Sequence, residues 1–178
     1  MPLQWKIIKF VRMTEYIADE AHFGKVIERI TKVKKSLWIG TADLKDLYVG
    51  EKPFLGVLAE LVSRGKEIRL LHAKEPGVNF RKDFDRYPIL RTGMERSLCP
   101  RVHFKLIIID LAVAYIGSAN LTGAGIGMKS TVNRNFEAGI LTDDPVLVEA
   151  AMNHFDSVWA GSRCKHCGRK KYCPDPIV

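Results

Sequence analysis

Apolar residues recur along this chain with two periods. From Glu20 to Lys34 the residues Phe23, Val26, Ile27, Ile30 and Val33 fall on one face at helical spacing. Ser36 to Gly40 is a short apolar run, as in a buried strand. A second helix is predicted from Lys52 to Arg64, with Pro53 in its first turn, Leu55, Leu58, Leu61 and Val62 inward, and Gly65 as its stop. Glu67 to Ala73 reads as the next strand. Val102 to Ile109 and Ala112 to Gly117 follow as strands close enough to form a hairpin, and Phe136 to Leu141 is a third. Asp144 caps a last helix that carries Pro145 at its first position. Leu147, Val148, Ala151, Met152, Phe155, Val158 and Trp159 point inward, and Gly161 ends it. Trp5 to Arg12 reads as an edge strand of ambiguous period. Lys74 to Pro100 holds Pro76-Gly77, Tyr87-Pro88 and Thr92-Gly93 and reads as a long excursion with one short helix. The alternation predicts an α/β fold, a mixed β-sheet sandwiched between helices.

Composition narrows the class. At 178 residues, with 47% hydrophobic and 27% charged residues, the chain has the make-up of one globular domain. Residues 1–162 are expected to form it, with residues 163–178 as a cysteine-rich tail packed on the same domain. No apolar run approaches the ~18 residues of a membrane span. Met1 to Lys6 lacks the apolar region of a secretory signal, so the expectation is a cytoplasmic protein. The net charge of +8 and a pI near 9.4 favour a polyanionic partner, of which nucleic acid is the commonest.

The chemistry concentrates between His103 and Asn120. His103, Lys105, Asp110, Gly117, Ser118 and Asn120 form the pattern H-x-K-x4-D-x6-G-S-x-N. On a strand His103 and Lys105 share a face, while Val102, Phe104 and Leu106 take the other. An imidazole and an ammonium on one face suit an anion. Lys105 can neutralise phosphate oxygens. Asn120 can donate to a phosphoryl oxygen, and Ser118 lies beside it just past the adjacent strand. His103 is the nucleophile candidate, provided that a carboxylate holds its other ring nitrogen. Glu137 is the candidate for that carboxylate. Asp110, at a tight connection, is either a further acid of the site or a turn residue.

These residues resemble the HKD motif of the phospholipase D superfamily, in particular its small single-motif endonucleases. Asn135-Phe136-Glu137-Ala138 resembles the family's downstream strand, whose glutamate orients the histidine. The resemblance implies an α/β sandwich and two HKD motifs facing each other across a twofold axis. One histidine forms a phosphohistidine; the other protonates the leaving group and then activates water. No metal is needed for that chemistry. With one motif in this chain, it implies a homodimer with one composite site, each protomer giving His103, Lys105, Ser118, Asn120 and Glu137.

Two stretches depart from the pattern. Gly123-Ala124-Gly125-Ile126-Gly127-Met128-Lys129 reads as a flexible lip of the cleft, from which Lys129 and Arg134 can contact a nucleic-acid backbone. Near the C-terminus Cys164 and Cys167 have C-x2-C spacing and Cys173 follows. Such a turn presents two sulfurs to one ion. Cys99 is the preferred fourth ligand and His166 the local alternative. The ion expected is a structural zinc, with an iron–sulfur cluster as the alternative. No cofactor is expected for catalysis. Three functions follow: a phosphodiesterase acting on DNA or RNA, a phospholipase or phosphatidyltransferase, and a nucleic-acid-binding module of a larger defence or repair system.

Overall fold

The computed structural model describes residues 12–74 and 77–175. In chain order the strands are β1 (Thr14–Ala18), β2 (Ser36–Thr41), β3 (Leu44–Lys45), β4 (Tyr48–Val49), β5 (Lys52–Pro53), β6 (Glu67–His72), β7 (Met94–Leu98), β8 (Lys105–Ile109), β9 (Val113–Gly117), β10 (Leu121–Thr122) and β11 (Ala138–Thr142). The helices are α1 (Glu28–Thr31), α2 (Phe54–Ser63), α3 (Val78–Arg86), α4 (Leu90–Gly93) and α5 (Pro145–Trp159). Among the described residues seven strands make one sheet in the order β1-β11-β9-β8-β2-β6-β7. It is mixed: β2, β6 and β7 run parallel, while β8 is antiparallel to both β2 and β9.

Strand alternation divides the core into two layers. Leu37, Ile39, Ile107 and Ile109 pack with Ile30, Leu58 and Leu61 of α1 and α2. Trp38, Leu106 and Ile108 pack with Val148, Ala151 and Phe155 of α5. Helices therefore cover both faces, as the apolar pattern predicts. β2 and β8 are buried at every position, which places the central pair under both layers.

The departures have local causes. The first helix begins with a π-helical turn, Phe23–Ile27, and α1 stops at Thr31 rather than Lys34. The Lys32 and Val33 N–H groups close it on the Arg29 and Ile30 carbonyls, and those of Lys34, Lys35 and Ser36 then donate to the Asp110 carboxylate instead of continuing the helix. Lys74 to Pro100 is no open excursion. It contains α3, α4 and the edge strand β7, where only Met94 and Leu98 are buried, too sparse a pattern to read as a strand. The expected strand Trp5 to Arg12 lies outside the described residues except for Arg12, and the edge strand seen is β1, paired with β11.

Asp110 and Leu111 make the β8–β9 turn. Both have positive φ, 54° and 55°, and the Ala112 N–H donates to the Ile109 carbonyl at 3.0 Å, a type I′ hairpin turn. Burial pushes the Asp110 pKa up, but the N–H groups of Lys35, Lys34 and Ser36 outweigh it and hold the carboxyl below its ordinary value. A depressed carboxyl stabilises the fold above its unfolded pKa, and that stability is lost as pH falls through the folded pKa. Asp110→Ala should therefore cost about 1–3 kcal/mol at neutral pH. Urea denaturation at pH 7 and pH 3 should show the gap from wild type shrinking at the lower pH; an equal gap at both would contradict this account.

Candidate active site

The register of three strands assembles the site. Lys105, Gly117 and Gly139 stand in one row across β8, β9 and β11. Two residues further toward the same rim are His103, Ala119 and Glu137, so His103, Lys105 and Glu137 share one face. Space on that face is set by Tyr115, a fully buried ring. A Cβ at Gly117 would stand 2.2 Å from the Tyr115 hydroxyl and 2.8 Å from the Ala138 carbonyl oxygen. At Gly139 it would stand 2.6 Å from the Tyr115 ring. The glycine of the motif is thus a packing requirement, and it brings β9 and β11 together beside Glu137.

Each polar group has an assigned place. Lys105 is 7% exposed, and its Nζ donates to the His103 carbonyl at 2.7 Å. Burial pulls its pKa down, and the nearby Glu137 charge partly restores it. The Ser118 hydroxyl donates to the Glu137 carboxylate and accepts from the Ala138 N–H at 3.0 Å. Asn135 Nδ2 donates to the other Glu137 oxygen at 3.0 Å. Asn120 Oδ1 accepts from the backbone N–H groups of Ala42 and Asp43, both at 3.2 Å, and from Thr41 Oγ1 at 3.3 Å. Two of those donors are unambiguous, so the carbamoyl oxygen is committed and the NH2 is the end left for a ligand. The His103 side chain is exposed, and among the described residues its ring has no hydrogen-bond partner. Beside it opens a cleft of about 630 Å³, whose walls include Asn120, Asp43, Lys74, Arg101 and Arg169.

His103, Lys105, Ser118, Asn120 and Glu137 therefore gather at one rim of the sheet. Asp110 does not. It closes the opposite end of β8, roughly 16 Å from Lys105 at the usual rise of ~3.3 Å per residue, and what it holds is the turn before β2. Glu137 also departs from expectation: in this structure it engages Ser118 and Asn135 rather than His103. The glycine-rich stretch is a packed turn, not a flexible lip. Gly123, Gly125 and Gly127 are buried, and a Cβ at Gly127 would meet the Glu20 backbone at 2.6 Å. Arg134 pairs with Glu20 at 2.8 Å, Lys129 is exposed, and neither lines the cleft.

Two supporting residues escaped the sequence reading. Asp19 clamps the Glu137 backbone, with Oδ1 accepting its N–H and the Asp19 N–H donating to its carbonyl, both at 3.0 Å. Tyr115 accepts the Ala119 N–H at 3.2 Å, and burial, aided by the Glu137 charge, pushes its phenol pKa up and keeps it protonated. Gly117 two places after Tyr115 was the available signal for the ring; Asp19 left none, being 118 residues from Glu137.

The family model described as cardiolipin synthase, PLD-like domain, matches residues 26–159, most of the chain and all of this rim. The chain belongs to the phospholipase D superfamily. Solved structures agree on the fold. This phospholipase D-like chain is similar to NucT from Helicobacter pylori, with a TM-score of 0.65 and 15% identity over 84% of this chain and 96% of that one. It is similar to Nuc, a phospholipase D family member from Salmonella typhimurium, with a TM-score of 0.64 and 17% identity over 84% and 95%. A phosphatidylserine synthase from Haemophilus influenzae matches with a TM-score of 0.58 and 17% identity over 82% of this chain and 39% of that one. No curated protein sequence matches it. The fold is that of a phospholipase D-like phosphodiesterase. No helix among the described residues is long and apolar enough to cross a membrane.

The tail of this phospholipase D-like chain folds back to the segment before His103. Cys99, Cys164 and Cys167 line a common cavity of about 160 Å³ under α5. The Cys173 thiol lies 3.9 Å from the Leu98 carbonyl, and Ser97 Oγ donates to Asp175 at 3.0 Å. The Arg169 N–H, with help from Arg101, favours the Cys167 thiolate and holds its pKa below the ordinary value. All four thiols are free, and His166 is exposed. Among the described residues no three His, Cys, Asp or Glu side chains stand close enough together to hold a metal ion.

Proposed function

We propose that this protein hydrolyses phosphodiester bonds of DNA or RNA in the cytoplasm, through a phosphohistidine on His103, as a homodimer with one composite site. The observation that carries the reading is the rim itself: one exposed imidazole, one buried ammonium and one oriented amide beside a cation-lined cleft. In the proposed reaction a His103 ring nitrogen attacks phosphorus. The P–O bond to the leaving strand breaks, and that oxygen takes a proton from the partner subunit's His103. Water then attacks phosphorus, gives its proton to the same partner imidazole, and breaks the P–N bond. Lys105 balances charge on the phosphoryl oxygens and the Asn120 NH2 donates to one. Glu137 supplies the compensating anion, holding Ser118 and sustaining the Lys105 charge.

Two exposed apolar side chains support the dimer. Val132 is 88% and Phe136 92% exposed on the stretch that leads into Glu137, and a second copy meeting this one at the rim would cover them. Nuc and NucT share the fold over nearly their whole lengths. Against lipid as substrate stand the +8 charge and the cation-lined cleft; for it stands the likeness to a phosphatidylserine synthase. Labelled single- and double-stranded DNA, RNA and phosphatidylcholine, each incubated with EDTA, decide between them. Cleavage of nucleic acid is expected. Turnover of lipid alone would remove the reading, and binding without turnover would favour a binding module.

For the tail the proposal is a structural zinc held by Cys99, Cys164, Cys167 and Cys173. Its support is the donor chemistry and the way the tail returns all four thiols to the Leu98–Cys99 segment. Ligation would need the sulfurs to draw together around the ion. Purified protein should then hold about one zinc per chain, and Cys164→Ser should lose it and melt about 5 °C or more lower. Iron in its place would identify a cluster; metal-free protein with wild-type melting would end the idea.

A further inference from the structure

The cleft beside His103 is larger than one phosphate requires. At about 630 Å³ it is of the size that takes a nucleotide-sized group. Three cations from separate parts of the chain meet in its wall: Lys74 after β6, Arg101 two residues before His103, and Arg169 from the tail. The acid among them, Asp43, is already engaged by Lys45 at 3.1 Å and Lys74 at 3.4 Å. Among the described residues neither arginine is paired with a carboxylate. Both are instead positioned where the tail meets the Pro100–Arg101 segment. Arg101 Nη1 lies 3.8 Å from Cys167 Sγ, the Arg169 N–H donates to the same sulfur at 3.4 Å, and Arg169 Nη1 donates to the Pro100 carbonyl at 3.4 Å. These contacts use a fraction of the five N–H donors on each guanidinium. What remains is a donor-rich cationic surface without its own anion, which a phosphate satisfies.

The reacting phosphate already has its cation in Lys105. We infer that Arg101 and Arg169, flanked by the Asp43-paired Lys74, hold a second, neighbouring phosphate of the same strand, so that the substrate is a polynucleotide rather than an isolated diester. This deepens the nuclease reading and rests on it. The tail is then part of the substrate site, and the turn at Cys167 is what delivers Arg169 to it.

Substrates with one phosphate and with several separate this from a general loss of activity. The probes are bis(4-nitrophenyl) phosphate and a single-stranded oligonucleotide. For Arg169→Ala the ratio of kcat/KM, oligonucleotide over small diester, should fall about ten-fold, chiefly through KM. The slope of log(kcat/KM) against log salt for the oligonucleotide should drop by about one. Arg101→Ala should behave alike, and Arg169→Lys should recover part of the ratio. Equal losses on both substrates, or an unmoved ratio, would overturn the second-phosphate site while leaving the nuclease reading intact. Hydrolysis of phosphatidylcholine with neither phosphodiester probe cleaved would overturn both.

Discussion

Equal amounts of wild-type and His103→Ala chains, refolded together, should show about a quarter of the activity of the same total amount of wild type. The variant alone should fall by on the order of 10³-fold or more, since it loses the atom that bonds to phosphorus. The mixture carries the information. In a composite site both imidazoles act on one phosphorus, one as nucleophile and one as acid and base. A mixed dimer has one of the two and is inactive. Random pairing leaves about a quarter of the dimers intact, whereas a self-sufficient protomer leaves about half the activity. The exposed His103 ring, with no partner in its own chain among the described residues, is the structural ground for the first outcome. A mixture at half activity would sink the shared site and leave a monomeric mechanism to be explained.

The second large effect concerns Lys105. Replacing it with methionine keeps the stem and removes the charge, and should cost about 10²- to 10³-fold in kcat. Its titration gives a finer test. Burial lowers the Lys105 pKa from the ordinary 10.5, and Glu137 opposes that shift. Catalysis needs the ammonium, so activity is retained below the Lys105 pKa and lost as pH rises through it. The alkaline limb of the pH–rate profile should thus fall earlier than an exposed lysine would place it. Glu137→Gln removes the opposing charge and should move the limb to still lower pH. Ser118→Ala leaves the Glu137 charge in place and should leave the limb where it was. A limb indifferent to Glu137 would mean that another group titrates there.

Much of this molecule was legible in the sequence because local pattern and tertiary role coincide. The helical periods of α2 and α5 are also the faces they bury, and the apolar runs of β2 and β8 are the fully buried centre of the sheet. The rim was legible for the same reason, since strand alternation alone puts His103 beside Lys105. What stayed hidden depends on partners distant in the chain. β7 is a strand because β6 offers it an edge, not because its own residues alternate cleanly. Asp110 reads in sequence as a site acid or a turn residue; it is the turn residue, and what the sequence did not show is that its carboxylate serves three backbone donors more than seventy residues away. Glycines 123 to 127 suggest looseness in sequence, but they are required by close approach to the backbones of Asn120, Asp46, Asp19 and Glu20. Arg101 and Arg169 carry no pattern that marks them in sequence, because only the return of the tail brings Arg169 beside His103.

The commitment of the Asn120 oxygen to Ala42 and Asp43 has a consequence for chemical ageing. Hydrolysis of that amide, the lesion that makes asparagine thermolabile, exchanges one NH2 for one oxygen. A carboxylate at this position still satisfies the two backbone donors behind it, so folding would scarcely register the change. Its second oxygen, however, would meet the cleft as an anion where a donor had stood. A stored sample could thus keep its melting curve and lose its turnover, with a shift of about one mass unit as the main trace.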